Sequence, residues 1–262
     1  MGAISMTGFF MLSGYSVYQG YCNIITKADC KRFYIKRAVN ILPLYYTVSL
    51  LFVFVISQES IIRKILLVPV VFLGLQAVFS SLFPYSHISG TWFISCILLF
   101  YLVYPLVARL LENTERMGLL IVLTIVIWFF IVYSTILVNQ FGLHGVYTNP
   151  FIRILECIVG VFLAWIMKRR KKAIKKPGLV LLLGIVIQII CITVLYSRII
   201  ARGIFIFYDI VAIPTFVICI AAASKIEIKN NKIVPVVVLL SRISYPFYLG
   251  KHRTVYKARE IW

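Results

Sequence analysis

The sequence predicts an all-α protein: a bundle of transmembrane helices with about eight crossings and one candidate re-entrant segment. Composition, long apolar runs and the grouping of basic residues between those runs all predict this class. Hydrophobic residues make up 62% of the 262 residues and charged residues only 13%, which leaves too little polar surface to cover a water-soluble globule. Lipid is therefore the expected solvent for most of the chain.

Nine apolar runs follow one another along the chain, and they approach the roughly 20 residues needed to cross a hydrocarbon core of about 30 Å. Such runs are expected to be helical, because a helix satisfies its backbone hydrogen bonds within one segment. The runs are 4–21, 39–57, 65–83, 92–108, 119–138, 152–167, 179–196, 204–223 and 233–249. They predict one transmembrane domain over residues 1–250, followed by a polar tail over residues 251–262.

Basic residues are concentrated in two of the loops between these runs. Residues 22–38 hold five lysines or arginines, and residues 168–176 hold seven. Because loops rich in lysine and arginine stay in the cytoplasm, both are predicted to be cytoplasmic. The same preference accounts for the net charge of +19, so membrane lipids are predicted partners and nucleic acid is not.

The two basic loops are separated by five apolar runs, and five crossings would place the loops on opposite sides. One run is therefore predicted not to cross. The best candidate is 65–83, which carries Pro69, Gly74 and Gln76 and is expected to be re-entrant and buried against protein. With this assumption 17 of the 27 basic residues lie in cytoplasmic loops, which include 109–117 and 224–232, and the N-terminus lies outside.

Charged residues inside apolar runs are functional candidates, because they are expensive to place in lipid. Arg153 and Glu156 are three residues apart on one predicted helix face, where they can form an ion pair. Both a structural ion pair near the external end of the helix and a role in substrate binding stay open. Asp209 and Arg242 lie in different runs and can also pair, with structural and functional interpretations equally open.

Two histidines lie in loops that are predicted to be external. Histidine transfers protons near neutral pH, so His87 and His144 join Glu156 as weak candidates for a catalytic residue. The alternative for each histidine is an ordinary loop position without a role. The six cysteines show neither a disulfide framework nor zinc spacing, and no metal site is predicted.

The basic loop 22–38 combines cations with aromatic rings just before a predicted membrane helix. Its central residues are Lys31, Arg32, Phe33, Tyr34, Lys36 and Arg37. Ammonium and guanidinium groups bind phosphate through charge-assisted hydrogen bonds, so the loop is a candidate site for an anionic phosphate group. The alternative is that the loop anchors the chain to lipid headgroups.

Four short segments, in order along the chain, together form a recognisable pattern. They are Phe-Phe-Met-Leu-Ser-Gly-Tyr at 9–15, Phe-Tyr-Ile-Lys-Arg at 33–37 leading into Ile-Leu-Pro-Leu-Tyr-Tyr at 41–46, Thr-Trp-Phe-Ile-Ser at 91–95, and Ile-Ser-Tyr-Pro-Phe-Tyr-Leu at 243–249. This pattern resembles the acyltransferase 3 family of bacterial membrane O-acyltransferases. The resemblance implies a multi-pass protein of the bacterial cytoplasmic membrane that transfers an acyl group, usually acetyl from acetyl-CoA, to a hydroxyl of a cell-surface carbohydrate.

The resemblance also implies roles for particular residues. Lys36 and Arg37, with Arg32, are expected to hold a phosphate of the acyl-CoA donor, while a histidine takes the proton from the attacking hydroxyl. The family's first helix, with its arginine and catalytic histidine, is expected before residue 2, so the chain is expected to be N-terminally incomplete, and whether it is active as it stands stays open. Where the family has a second arginine this chain has Asn40, and phosphate binding is expected to be weaker.

Two other functions compete with acyl transfer. A transporter or flippase of a lipid-linked saccharide is the runner-up, because polar residues in a helix bundle can also mark a transport path. The inverted repeats of many transporters are not found in the sequence. A structural subunit that completes a partner's bundle is the third, since Ser16 and Gly20 are small residues four apart that suit close helix contact.

Overall fold

The computed structural model describes residues 2–24, 26–51, 53–54, 60–75, 77–78, 91–140, 149–170, 174–197, 204–226, 235 and 238–239. Its helices are α1 (Gly2–Gly20), α2 (Lys27–Leu51), α3 (Ile61–Phe72), α4 (Thr91–Glu112), α5 (Met117–Gln140), α6 (Pro150–Arg169), α7 (Pro177–Ser197) and α8 (Ile204–Ala223). Every regular element in these residues is helical, which confirms the all-α class.

Each of the first eight predicted runs overlaps one helix, and the bounds of α8 are those predicted; α3, however, ends at Phe72, so the run 65–83 is helical only in its first part. The ninth run, 233–249, lies largely outside the described residues. The prediction of a loop over 22–38 is wrong from Lys27 onward, because α2 begins there and continues without a break into the apolar run. Lysine, arginine and alanine are strong helix formers, and Asp29 in the first turn favours the positive end of the helix dipole.

Three helical segments are long and apolar enough to cross a membrane, judged on the described residues alone. They are Trp92–Glu112, Met117–Ser134 and Pro150–Arg169, and shorter apolar helices cover Pro177–Thr193 and Ile210–Ala223. These segments support a multi-pass membrane protein. The predicted number of crossings stays a prediction.

The chain forms two compact units. Unit 1 comprises Met1–Thr26 and Phe100–Ile226, and unit 2 comprises Lys27–Leu99 and Glu227–Trp262. The predicted domain boundary at residue 250 and the polar tail lie outside the described residues.

Unit 1 is built on a close crossing of α1 and α6. A Cβ atom added to Gly14 would overlap the carbonyl oxygen of Cys157, and one added to Gly160 would overlap the carbonyl oxygen of Met11. Two glycines, one on each helix, therefore let the two backbones touch. Ser16 is exposed, and a Cβ atom added to Gly20 would meet no atom within 4 Å, so the close helix contact expected of these two residues with a partner stays a prediction.

Apolar side chains from four helices complete the core of unit 1. Its buried cluster consists of Met11, Ile131, Ile152, Val159, Leu163, Ile213 and Ile220, from α1, α5, α6 and α8. Gly8 of α1 lies against the ring of Phe216 on α8, and the ring atom nearest to an added Cβ would be at 2.5 Å. The first and sixth helices are thus held at fixed positions in the unit.

Unit 2 contains a helix too short to span a bilayer. The 12 residues of α3 rise only about 18 Å, against a hydrocarbon core of about 30 Å. Its carbonyl end is satisfied by hydroxyl groups: Tyr45 donates to Val71 O at 2.7 Å and Tyr46 donates to Phe72 O at 2.9 Å. Carbonyls left open at a helix end need such partners when they are buried.

The turn after α3 is also held by a side chain. Gly74 lies in the left-handed region at φ 64°, where glycine is favoured, and its carbonyl accepts a hydrogen bond from the Ser95 hydroxyl of α4. The same hydroxyl oxygen accepts from the Ala77 N–H at 3.2 Å. A short helix that ends against protein hydroxyls is the structure expected of a re-entrant segment, whose membrane position stays a prediction.

Candidate functional site

Three helices end together at one end of unit 1. The Tyr104 hydroxyl of α4 donates to Tyr21 O, just after α1, at 2.8 Å. The Trp165 indole of α6 donates to Leu111 O of α4 at 3.1 Å, and Lys168 Nζ lies 3.0 Å from Cys22 Sγ. The segments that follow these helices, from residues 22, 109 and 168, are those that the charge pattern assigns to the cytoplasm.

The predicted phosphate-binding residues all lie in the first half of α2. Arg32 and Lys36 are four residues apart, on one row of the helix surface, and both side chains are exposed. Asn40 continues the same row and is also exposed. Arg37 lies one position further round the helix and is half-buried, with its guanidinium carbon 5.7 Å from the centre of the Phe33 ring.

The basic half of α2 therefore combines one anchored guanidinium with two cations that reach solvent. Phe33 is fully buried, so its ring gives Arg37 a fixed platform. Arg32 and Arg37 are separated by a rise of about 7.5 Å along the helix. Charged donors at this spacing can contact two phosphoryl groups of one ligand, or one group from two sides.

A second group of functional candidates is buried between α1 and α6 in unit 1. Arg153 and Glu156 form the predicted ion pair, with Arg153 Nη1 at 2.7 Å and 2.8 Å from the two carboxylate oxygens. The Thr7 hydroxyl of α1 donates to Glu156 Oε1 at 3.0 Å and accepts from Arg153 Nη1 at 3.1 Å. The guanidinium carbon of Arg153 lies 5.5 Å from the centre of the Phe10 ring.

Burial decides what this group can do. Arg153, Glu156 and Thr7 are only 5%, 0% and 3% exposed. The carboxylate oxygens of Glu156 already accept hydrogen bonds from an arginine and a threonine and are shielded from any substrate. The arrangement is suited to holding α1 against α6.

Thr7 was not among the residues predicted from the sequence. Its partners on α6 are 146 and 149 residues away along the chain, and no spacing rule connects two helices so far apart. The available signal was a hydroxyl within an apolar run, three residues before Phe10. That signal marks a buried polar residue and does not name its partner.

The remaining sequence-predicted candidates lie outside the part of the chain that the structure describes. His87, His144 and Arg242 lie outside the described residues, as does the side chain of Asp209 in α8. Their proposed roles stay predictions. Within the described residues, no group of three or more histidine, cysteine, aspartate or glutamate side chains could hold a metal ion.

Comparison with known proteins adds one finding. The model of the acyltransferase 3 family, described as an acyltransferase domain, matches residues 1–249, a range that includes all four motif segments. No curated protein and no solved structure matches the chain significantly. With apolar helices of membrane-spanning length and a family match over nearly its whole length, the chain belongs to the acyltransferase 3 family of membrane acyltransferases.

Proposed function

We propose that this protein transfers an acetyl group, or another acyl group, from acyl-CoA at the cytoplasmic surface to a hydroxyl of a cell-surface carbohydrate. The observation that carries the proposal is the basic half of α2, where the exposed Arg32 and Lys36 share one row of the helix beside the anchored Arg37. The family supplies the reaction class, and this surface supplies a site for the phosphates of a CoA donor.

The proposed reaction forms an ester and releases CoA as a thiol. The acceptor's hydroxyl oxygen attacks the carbonyl carbon of the thioester, a C–O bond forms, and the C–S bond breaks. The hydroxyl proton passes to a base and is returned to the leaving sulfur. Because the Glu156 carboxylate accepts hydrogen bonds from Arg153 and Thr7, we assign the base to a histidine and a structural role to Glu156.

Donor binding is expected to depend on charge more than on shape. Each charge-assisted hydrogen bond to phosphate contributes about 1.5–3 kcal/mol. Asn40, on the row of Arg32 and Lys36, can donate a hydrogen bond but carries no charge. The donor is therefore expected to be held mainly by the three cations.

The test is transfer of labelled acetyl from acetyl-CoA to isolated cell-envelope carbohydrate by the purified full chain in detergent. Labelled carbohydrate is expected with the wild type, and at least about tenfold less with Lys36→Ala combined with Arg37→Ala, since tenfold corresponds to about 1.4 kcal/mol. Arg116→Ala, which removes an exposed cation elsewhere, is the matched control and should retain the wild-type rate.

Two results would replace the proposal. Movement of a lipid-linked saccharide across vesicles without acyl transfer would identify a transporter. Absence of both activities until a second protein is added would identify a structural subunit.

A further inference from the structure

Unit 1 carries a second basic surface that the proposed reaction does not use. It lies at the junction of α6 and α7, and its described members are Lys168, Arg169, Arg170, Lys175 and Lys176, all of them exposed. None of the five forms an ion pair with an acidic residue that the structure describes. The sequence contains no acidic residue between Glu156 and Asp209.

This surface is fixed to the body of unit 1. The guanidinium carbon of Arg169 lies 4.4 Å from the centre of the Trp165 ring. That ring is 2% exposed, and its N–H donates a hydrogen bond to Leu111 O of α4 at 3.1 Å. Lys168 reaches Cys22 Sγ at 3.0 Å, so the charges are held at the common end of α1, α4 and α6.

The position of the surface relative to lipid follows from α6. The basic residues begin at the end of Pro150–Arg169, an apolar helix long enough to cross a membrane. Cations directly after a spanning helix lie at the level of the lipid phosphates, and tryptophan is enriched at the same level. Each basic residue near an anionic membrane surface contributes about fivefold in affinity, equivalent to about 1 kcal/mol.

We propose that the surface formed by Lys168, Arg169, Arg170, Lys175 and Lys176 binds the headgroups of anionic phospholipids. Five exposed cations spread over the ends of two helices suit several small headgroups better than one soluble ligand. The chain's two basic surfaces then have different ligands: lipid at the junction of α6 and α7, and the soluble donor on α2. The lipid site does not depend on the proposed reaction.

The test uses the full chain reconstituted in phosphatidylcholine vesicles that contain spin-labelled phosphatidylglycerol or spin-labelled phosphatidylcholine. The fraction of label immobilised by the protein measures lipid preference. At low salt the wild type is expected to prefer phosphatidylglycerol by about fivefold or more. At 1 M NaCl, where the screening length falls to about 3 Å, most of this preference should disappear.

Two triple variants separate charge from packing. Arg169→Gln with Lys175→Gln and Lys176→Gln should lose most of the preference, whereas Arg169→Lys with Lys175→Arg and Lys176→Arg should keep it. Arg32→Gln with Lys36→Gln on α2 should keep the lipid preference while losing donor binding, so failure of the lipid site and failure of the proposed reaction are distinguishable.

Several results would overturn the inference. The first is equal immobilisation of the two lipids by the wild type at low salt, a measurement that needs no variant. The second is a glutamine triple variant that folds and keeps the preference. Displacement of phosphatidylglycerol by inorganic phosphate, beyond the effect of an equal ionic strength of chloride, would identify a site for free phosphate instead.

Discussion

Arg153 on α6 and Arg37 on α2 have similar aromatic neighbours but different electrostatic surroundings. Their guanidinium carbons lie 5.5 Å and 5.7 Å from the centres of the Phe10 and Phe33 rings. Arg153 is 5% exposed and paired with a carboxylate, whereas Arg37 is half-buried in a helical segment rich in lysine and arginine. The surroundings of an arginine, more than its presence in a motif, distinguish a structural charge from one that can bind an anion.

The largest expected effect comes from breaking the buried pair. Glu156→Ala leaves a buried guanidinium without its counter-charge and should lower the free energy of unfolding by about 3–5 kcal/mol. Titration of the purified chain with a denaturing detergent, followed by its unfolding, measures this loss. Arg153→Met combined with Glu156→Leu should recover most of it, because an apolar pair needs no counter-charge. A double variant as unstable as Glu156→Ala would contradict the structural role.

The next largest expected effect tests the close contact between α1 and α6. Gly14→Ala should destabilise unit 1 by about 3 kcal/mol, because the added methyl overlaps the backbone of Cys157, which cannot move as a flexible side chain would. The matched control is Gly20→Ala, on the same helix, where an added methyl meets nothing within 4 Å. Equal effects of the two changes on the unfolding midpoint would show that the close crossing is not present.

A smaller effect tests the end of α3 in unit 2. Tyr45→Phe removes the hydroxyl that donates to Val71 O, which also accepts from the Gly74 N–H at 3.1 Å, and should cost about 0.5–1.5 kcal/mol. Tyr133→Phe, on an exposed side chain, is the control and should be close to neutral. A neutral Tyr45→Phe would mean that the Gly74 N–H alone satisfies that carbonyl.

The smallest effect compares two buried serines of unit 2. Ser49 is 3% exposed, and its hydroxyl has no hydrogen-bond partner among the described residues, so Ser49→Ala should be neutral or stabilising by up to about 1 kcal/mol. Ser95→Ala should destabilise, because Ser95 bonds the turn at Gly74 and Ala77. Unfolding curves of the two variants, measured side by side, give the two stabilities. A Ser95→Ala variant more stable than Ser49→Ala would contradict the structure.

Hydropathy predicted the helical segments that are apolar, because lipid-facing residues must be apolar. It missed the helical segment whose residues are charged. Hydropathy located α8 to the residue, because apolar residues fill nearly all of its length and Asp209 is its one charged residue. It placed the start of α2 too late, because the turns from Lys27 carry charges, and only their helix propensity indicates structure there. A basic segment composed of strong helix formers should therefore be predicted as helix even though it is not apolar.

In the candidate site, contacts between residues close in sequence could be predicted, whereas contacts between distant helices could not. Arg153 and Glu156 were predicted as a pair because three residues along a helix bring side chains together. Thr7 was not, because its contact depends on the crossing of α1 and α6. The resemblance marked Tyr45 and Ser95 as motif residues, but their hydrogen bonds, from Tyr45 to the end of α3 and from Ser95 to the turn after it, required coordinates.

Equilibrium binding of labelled acetyl-CoA tests the contrast between the two regions most directly. Arg32→Gln with Lys36→Gln on α2 should weaken binding at least about tenfold, equivalent to about 1.4 kcal/mol, without changing the unfolding midpoint. Arg153→Met with Glu156→Leu on α6 should bind like the wild type. Wild-type affinity in the α2 variant, or lost binding in a folded α6 variant, would contradict the account.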